Sequence, residues 1–421
     1  WDYRDARRGE LAAVRLRDVN LYTFPHTIAI APSYEPEARQ RLDARPVTPI
    51  VAITDIFYIG IQDGSVPCFD PVRSITNRIE LMPEDKTLEI CFPPTWDEEK
   101  GRLYWTLHNR NSTSALVAFT PERTEQLGRI ATEEGQPLKR VYDARLGKFS
   151  VPLSVDSSRF LAGRIGLMAT DRNVGVISLE HPRAPLQLSW STPINFQATQ
   201  PPASIKYQRV GIPRLDDFMV TPSIGKLYLN DLQRQLNNQG SIDIPGAMLS
   251  EVATPLSPIS VHGYQEPVYI FGVQNPDSPL YIANFTEPND RSKILPVAGV
   301  RFRGSLLRHY YQRVNQLYFC TTTHIYGIRV TGPASALIEQ SIDMSGKEVS
   351  GAPAVHGNVL YIGTIDGEVS AYSIRTDAAG EFRWKAKIPG GAAILGSPVV
   401  IDRRVWFLTE DGNLYAYRTT R

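Results

Sequence analysis

Cysteine is scarce in this 421-residue chain, which has three: Cys68, Cys91 and Cys320. Their number and spacing exclude a disulfide framework, a CxxC redox pair and a thiolate zinc site, although a pairing of Cys68 with Cys91 stays open. No apolar run is long enough to cross a membrane as a helix. The chain also has no large excess of charge of one sign, since 45 Lys and Arg balance 44 Asp and Glu. A charged partner must therefore be met by a local patch, because the whole chain has no strong net field.

The chain also lacks the short motifs of common enzyme classes. It has no GxSxG nucleophile elbow, no glycine-rich phosphate loop followed by Lys and Ser or Thr, and no HExxH pair among its seven histidines. Those spacings place a nucleophile, a phosphate cradle or two metal ligands where their chemistry needs them. We therefore expect no catalytic residue, no metal site and no cofactor.

Internal repeats are what the chain does have. The segment 351–372 is echoed by 396–417, with matching residues 45 positions apart. Each unit predicts a short strand, a second strand ending in apolar and aromatic residues, an Asp-Gly hairpin turn and a third alternating strand. The matching residues, which we expect to be structural, are Pro353 and Pro398, Asp366 and Asp411, and Gly367 and Gly412.

Weaker copies of the same pattern recur upstream and bring the number of units to eight. Repeating four-stranded units of about 40 to 50 residues predict an all-β fold, a β-propeller of eight blades. The repeats run over 44–421, so residues 1–421 are expected to form a single domain. The opening Trp1 in place of Met indicates a processed or truncated chain.

Ring closure and helices can also be predicted. The last unit lacks a fourth strand, and the segment 9–17 resembles the strand at 380–385 that completes the preceding unit. We therefore expect 9–17 to complete the last blade. Two short helices are predicted, at 36–42 and 231–238. Inserts at 72–98, 121–148 and 190–210 are the expected partner-contacting loops.

The final units resemble the pyrroloquinoline-quinone-like (PQQ-like) propeller repeat. The resemblance covers 348–421 and rests on GEFRWK at 380–385, GSPVV at 396–400, VW at 405–406 and DGNLYAY at 411–417. It implies eight blades that interlock through an outer-strand tryptophan, here Trp384. Most other units lack this tryptophan, so a seven-bladed ring is the alternative. Family members include quinone-dependent dehydrogenases and non-catalytic scaffolds such as the lipoprotein that assists outer-membrane protein assembly. The vicinal cysteine pair of the dehydrogenases is absent.

One basic stretch, 301–313, combines arginines with aromatic residues. Such a combination can grip phosphates and stack on unpaired bases, whereas its simplest interpretation is a strand with a solvated face. The candidate partner-binding residues of this stretch are Arg301, Arg303, Arg308, Tyr310 and Arg313.

These observations favour a non-catalytic interaction scaffold that binds partner proteins through loops on its faces. One alternative is an enzyme or ligand-binding propeller with its site at the central channel. A lesser alternative is nucleic-acid binding through 301–313. The odd number of cysteines favours a reducing, cytoplasmic compartment, whereas the family resemblance implies a periplasmic or secreted one.

Overall fold

The computed structural model describes residues 36–419 except 54, 111–113, 120, 122–138, 143–146, 159–162, 180–186, 209–214, 248–258, 262–263, 267–268, 276–278, 285–292, 298–306, 314–315, 322, 333–334, 345 and 376–379. The regular structure of these residues is entirely β, which confirms the predicted all-β class. A search of the described residues finds no helix with the length and apolar character needed to span a membrane.

The strands pair into successive antiparallel sheets, which we number along the chain. Strand β1 (Ala38–Arg41) belongs to the last of them. Sheet 1 contains β2 (Val51–Ile53), β3 (Ile56–Tyr58), β4 (Ser65–Asp70) and β5 (Ile75–Glu80). Sheet 2 contains β6 (Glu89–Ile90), β7 (Thr95–Asp97), β8 (Arg102–His108), β9 (Ser114–Phe119) and β10 (Lys139–Tyr142). Sheet 3 contains β11 (Ser154–Ser158), β12 (Gly163–Ala169), β13 (Asn173–Ser178) and β14 (Gln187–Pro193).

The middle of the chain continues the same arrangement. Sheet 4 contains β15 (Ala203–Gln208), β16 (Leu215–Asp231) and β17 (Asn237–Ala247). A separate ribbon pairs β18 (Ile259–Val261) with β19 (Tyr264–Glu266). Sheet 5 contains β20 (Tyr269–Gly272), β21 (Leu280–Asn284) and β22 (Lys293–Pro296). Sheet 6 contains β23 (Leu307–Arg313), β24 (Gln316–Thr321), β25 (His324–Gly332) and β26 (Ser335–Asp343).

The C-terminal part forms the last two sheets. Sheet 7 contains β27 (Ala354–His356), β28 (Val359–Gly363), β29 (Glu368–Ser373) and β30 (Phe382–Lys387). Sheet 8 contains β31 (Val399–Ile401), β32 (Arg404–Leu408) and β33 (Asn413–Arg418), with β1 on the outer edge of β33. Seven sheets are thus built from one continuous stretch of chain each, and the last combines strands from both ends of the described chain.

The sheets pack face to face in chain order and close into a ring. Buried apolar clusters join each sheet to the next, from sheets 1 and 2 through to sheets 7 and 8. A further cluster, which includes Phe57 of sheet 1 and Trp406 of sheet 8, joins the last sheet to the first. This arrangement confirms the predicted β-propeller, in which each sheet is covered on both faces by its neighbours.

Strand β16 supplies two of the strands that sheet 4 needs. Its 17 residues fold back on themselves, since the Leu232 amide donates to the Asp217 carbonyl at 3.1 Å. The bend falls near Gly225, whose φ of 70° lies in the left-handed region that glycine adopts without a steric penalty.

Buried threonines fix the turns between second and third strands. Thr364 and Thr409 are both fully buried, and their hydroxyls donate to the carbonyls of Glu368 and Asn413 at 3.0 and 2.9 Å. The predicted Asp-Gly turns lie between each threonine and the carbonyl that it bonds. Gly367 has a φ of 77° and Gly412 a φ of 82°. Thr170 and Thr321 make the same bond in sheets 3 and 6. In sheets 3, 7 and 8 the threonine hydroxyl therefore adds a second hydrogen bond to a carbonyl that already accepts one from the backbone amide of the same threonine.

Both predicted helices are wrong. In place of the helix at 36–42, Ala38–Arg41 forms β1, because pairing with the edge of β33 outweighs the helix propensity of these residues. In place of the helix at 231–238, the chain makes a tight turn from β16 into β17. Gln235 and Leu236 there have φ values of 53° and 63°, which no right-handed helix permits.

The closing strand and the inserts also need correction. The segment 9–17 lies outside the described residues, and the edge assigned to it is occupied by β1. The insert 72–98 contributes strands β5 to β7, and 190–210 contains the end of β14 and all of β15. Of 121–148, only β10 and a few flanking residues are described. Much of the predicted loop sequence is therefore used to build sheets.

Candidate functional site

The sequence-predicted basic stretch lies partly outside the described residues. Arg301 and Arg303 belong to the segment 298–306, which lies outside the described residues. Arg308, Tyr310 and Arg313 lie on β23, where Tyr310 pairs in register with Phe319 and Arg313 with Gln316. The five residues stay a prediction as a partner-binding set.

The predicted docking tryptophan, Trp384, is fully buried. It lies between sheets 7 and 8, with its ring centroid 6.2 Å from that of Tyr361 and 5.8 Å from that of Tyr417. Pro353 and Pro398 are buried just before the first strands of the same two sheets. These residues hold together two sheets that form a concave feature of the surface.

That feature is a basic cleft of about 890 Å³ between sheets 7 and 8. Among the described residues that line it are four arginines and no carboxylate: Arg375, Arg383, Arg403 and Arg418. Around them lie groups that can donate or accept hydrogen bonds, namely His356, Gly357, Asn358, Ser373 and Thr419. All these residues come from the turns between first and second strands and from the ends of third and fourth strands. The cleft therefore opens on one face of the ring, opposite the Asp-Gly turns.

Arg403 enters the cleft from an unusual turn. It and Asp402 are the two residues between the paired residues Ile401 and Arg404, with φ values of 57° and 49°. Two positive φ values define a type I′ hairpin turn, which favours Asn-Gly because other side chains strain there. A left-handed conformation costs an ordinary L-residue about 1–2 kcal/mol. The chain thus places an arginine where a smaller residue would fold more favourably.

The Arg403 turn is held in place by the end of β33. The Thr419 amide and hydroxyl both donate to the Arg403 carbonyl, at 2.8 and 2.9 Å. These bonds fix the backbone from which the Arg403 guanidinium projects. Arg403 is exposed and forms no ion pair with any described residue.

Three carboxylates lie beside the cleft and partly balance it. The Glu37 carboxylate lies 3.4 Å from the Arg404 guanidinium and 3.9 Å from that of Arg418. Glu381 lies 3.3 Å from Arg383, and Asp402 lies 3.8 Å from Arg404. Since these side chains are at least a third exposed, such pairs contribute about 0–1 kcal/mol each and can exchange partners easily.

Sequence reasoning missed this cleft, although the repeat carried a signal for it. At the 45-residue offset, Arg403 corresponds to Asn358 and Arg418 to Ser373. All four positions line the cleft. Comparing equivalent positions of the two clearest units would have shown that the last unit gains two cations on one face.

Cys91 and His108 lie side by side, in an arrangement that resembles a nucleophile beside its base. The Cys91 Sγ lies 2.7 Å from the His108 Nδ1. Burial raises the pKa of the Cys91 thiol to about 12, and burial also lowers the pKa of His108. The pair is therefore neutral at pH 7, with a thiol where catalysis would need a thiolate. No described group of His, Cys, Asp and Glu side chains has three members placed to hold a metal ion.

Comparisons with known proteins show the fold of the chain. No family model matches the sequence, and no curated protein matches it. Among solved structures, the computationally designed Ika8 protein matches with a TM-score of 0.54 at 10% identity, over 90% of this chain and 98% of that one.

Two natural proteins have similar structures. BamB from Moraxella catarrhalis matches with a TM-score of 0.51 at 12% identity, over 92% of this chain and 98% of that one. Sqt1 from Saccharomyces cerevisiae matches with a TM-score of 0.57 at 10% identity, over 93% and 99% of the two chains. At such identities the likeness shows that the chain is a β-propeller, and function has to be argued from its own residues.

Proposed function

We propose that this chain is a non-catalytic scaffold that binds partner proteins through a face of its ring. The observation that carries the proposal is the basic cleft between sheets 7 and 8, a concave polar site on sheets that bury Trp384 between them. Its residues can hold a charged partner. The propeller fold supports the proposal, because rigid rings with variable turns present wide binding faces.

The alternative of an enzyme finds little support in the described residues. The pair that comes nearest to a catalytic arrangement, Cys91 with His108, is kept neutral by burial. Such a pair lacks the activated thiolate that cysteine catalysis requires. Resemblance to the PQQ-like repeat is compatible with the scaffold proposal, since that family includes non-catalytic members.

The proposal is tested by chemical cross-linking of the tagged full-length protein in its own cell. After affinity purification, mass spectrometry identifies the proteins joined to it and the residues through which they are joined. An unrelated propeller of similar net charge, carrying the same tag, is the control. We expect at least one protein to be enriched over that control and cross-linked to one face of the ring. A chain that enriches no protein over the control would contradict the scaffold function.

A further inference from the structure

We propose that the basic cleft binds an acidic, extended segment of a partner protein. This inference rests on the proposed scaffold function and specifies the chemistry of its partner. The occupant is a stretch of chain rich in Glu and Asp, held through its carboxylates by Arg383, Arg403 and Arg418.

Local charge is the first argument. The whole chain has a net charge of +1, yet the described residues that line the cleft include four arginines and no carboxylate. Arginine presents a planar fork of N–H donors, which matches a carboxylate through two parallel hydrogen bonds. The concentration of this one residue type in a concave site favours an anionic ligand with directional acceptors.

The backbone at Arg403 is the second and independent argument. The equivalent turn of sheet 1 places Asp55 at this position, with a φ of 67°, whereas Asn358 at the matching position of sheet 7 has no positive φ. Asparagine and aspartate tolerate the left-handed conformation better than arginine does. The arginine in sheet 8 is therefore unfavourable for the turn itself. Backbone strain retained against the local preference is typical of sites where the side chain serves binding.

The carboxylates that already border the cleft are the third argument. Glu37 and Glu381 show that the guanidinium groups of Arg418 and Arg383 are placed within reach of a carboxylate. The bordering acids number fewer than the arginines, and Arg403 pairs with none of the described carboxylates. An incoming acidic segment can extend this pattern across the cleft.

The shape and lining favour a peptide over a nucleic acid. Lining residues come from the first turns of sheets 7 and 8 and from β29, β30 and β33, so the cleft runs across the width of the sheets, as an extended segment requires. The described residues that line it include no Phe, Tyr or Trp. Proteins that bind single strands use such rings as stacking platforms for bases, and this part of the chain provides none in the cleft.

The test measures binding of a fluorescently labelled short poly-glutamate peptide by anisotropy. The variants are Arg403→Asn and Arg418→Gln, and the matched control is Arg45→Gln. Arg45 is an exposed arginine that pairs with Glu410 near the Asp-Gly turns of the opposite face. A poly-glutamine peptide of the same length and a poly-thymidine oligonucleotide are the competing probes.

We expect poly-glutamate to bind and poly-glutamine not to bind. Each cleft variant should weaken binding about tenfold, which corresponds to about 1.4 kcal/mol for one charge-assisted hydrogen bond. Arg45→Gln should leave the affinity unchanged. Arg403→Asn should also melt at or above the wild-type temperature, because asparagine relieves the turn; a merely structural role for Arg403 predicts the reverse.

Three results would overturn the inference. One is poly-glutamate affinity that does not depend on Arg403 or Arg418, and another is no binding of poly-glutamate. A third is equal or tighter binding of poly-thymidine with the same arginine dependence, which would assign the cleft to nucleic acid. If cross-linked partners persist in a chain that carries both Arg403→Asn and Arg418→Gln, the scaffold function stands and the assignment of the cleft alone fails.

Discussion

Trp384 is the residue on which the contact between sheets 7 and 8 depends most. Its indole is fully buried beside Tyr361 and Tyr417, and it lies in the cluster that joins the two sheets. Trp384→Ala should therefore lower the free energy of unfolding by about 3–5 kcal/mol, through lost transfer energy and the cavity left behind. Urea unfolding followed by circular dichroism measures the change.

Lys385 provides the control for that measurement. It is the next residue on β30 and is exposed. Lys385→Ala should change the unfolding free energy by less than about 0.5 kcal/mol. A Trp384→Ala loss as small as the Lys385→Ala loss would show that the tryptophan does not hold the sheets together.

The cysteines should be unreactive in the folded chain. All three are free, and burial raises the pKa of each, to about 12 for Cys91. Because the thiolate is the reactive form, raising the pKa leaves almost none of it at pH 8. We expect iodoacetamide at pH 8 to label none of the three before unfolding and all three in urea, as read by mass spectrometry.

Two results would contradict this prediction. Alkylation of folded Cys91 at the rate of a free cysteine would show that His108 activates the thiol. A mass lower by two hydrogens in the unlabelled protein would show that Cys68 and Cys91 pair.

At the level of single residues, the sequence predicts features that depend only on neighbouring residues in the chain, such as tight turns. Asp366-Gly367 and Asp411-Gly412 can be identified as turns because glycine adopts the positive φ of a tight turn and aspartate favours the position beside it. The arginines of the cleft were not predicted as a group, because Arg375, Arg383, Arg403 and Arg418 come from four separate segments. Only the packing of sheet 7 on sheet 8 brings them together.

Among the elements, β1 is the strand whose loss we expect to matter most for closure. It pairs with β33, where the Glu37 amide donates to the Ala416 carbonyl at 2.7 Å and the Leu42 amide to the Gly412 carbonyl at 2.8 Å. A chain lacking 1–42 should melt at a lower temperature than one lacking 1–35, and it should self-associate through the exposed edge of β33. Thermal unfolding and light scattering measure the two effects.

The comparison of these two truncated chains isolates the strand itself. Both lack the same residues up to 35, so any difference between them comes from 36–42. Equal melting temperatures with both chains monomeric would show that β1 is dispensable.

The position of this strand could not be predicted, although its existence was. A strand at the outer edge of a sheet is half-exposed, and the residues of β1 alternate between intermediate and exposed without a buried apolar face. Ala, Arg and Gln in succession also favour a helix. The apolar segment at 9–17 therefore matched the expected strand pattern better than the polar segment that forms it.

For the whole molecule, the axis of the ring leaves no space for side chains at two glycines. A Cβ added to Gly351 would lie 2.3 Å from the Gly396 carbonyl carbon, and one added to Gly396 would lie 2.3 Å from the Pro49 Cβ. The backbones of sheets 7 and 8 thus meet directly at these glycines, and the Pro49 ring at the start of sheet 1 packs against Gly396. Gly351→Ala should destabilise the ring by about 1–3 kcal/mol, because the sheets would have to move apart.

Ala352→Ser is the matched control, since it adds one atom at the neighbouring, half-buried position. Unfolding of both variants in urea gives the comparison. A Gly351→Ala chain as stable as the control would show that the sheets can separate at the axis without a penalty.

The pairing of β1 with β33 also sets an order of events during synthesis. During translation β1 is synthesised near the start of the described chain and its partner β33 near the end. Strand β1 therefore has no pairing partner while the strands between them are synthesised. The contacts between successive sheets can form as the chain emerges, but the cluster between sheets 8 and 1 cannot. Contacts so distant in sequence form slowly. Until β33 pairs with β1, the ring is therefore an open arc that leaves the faces of sheets 1 and 8 in that cluster uncovered.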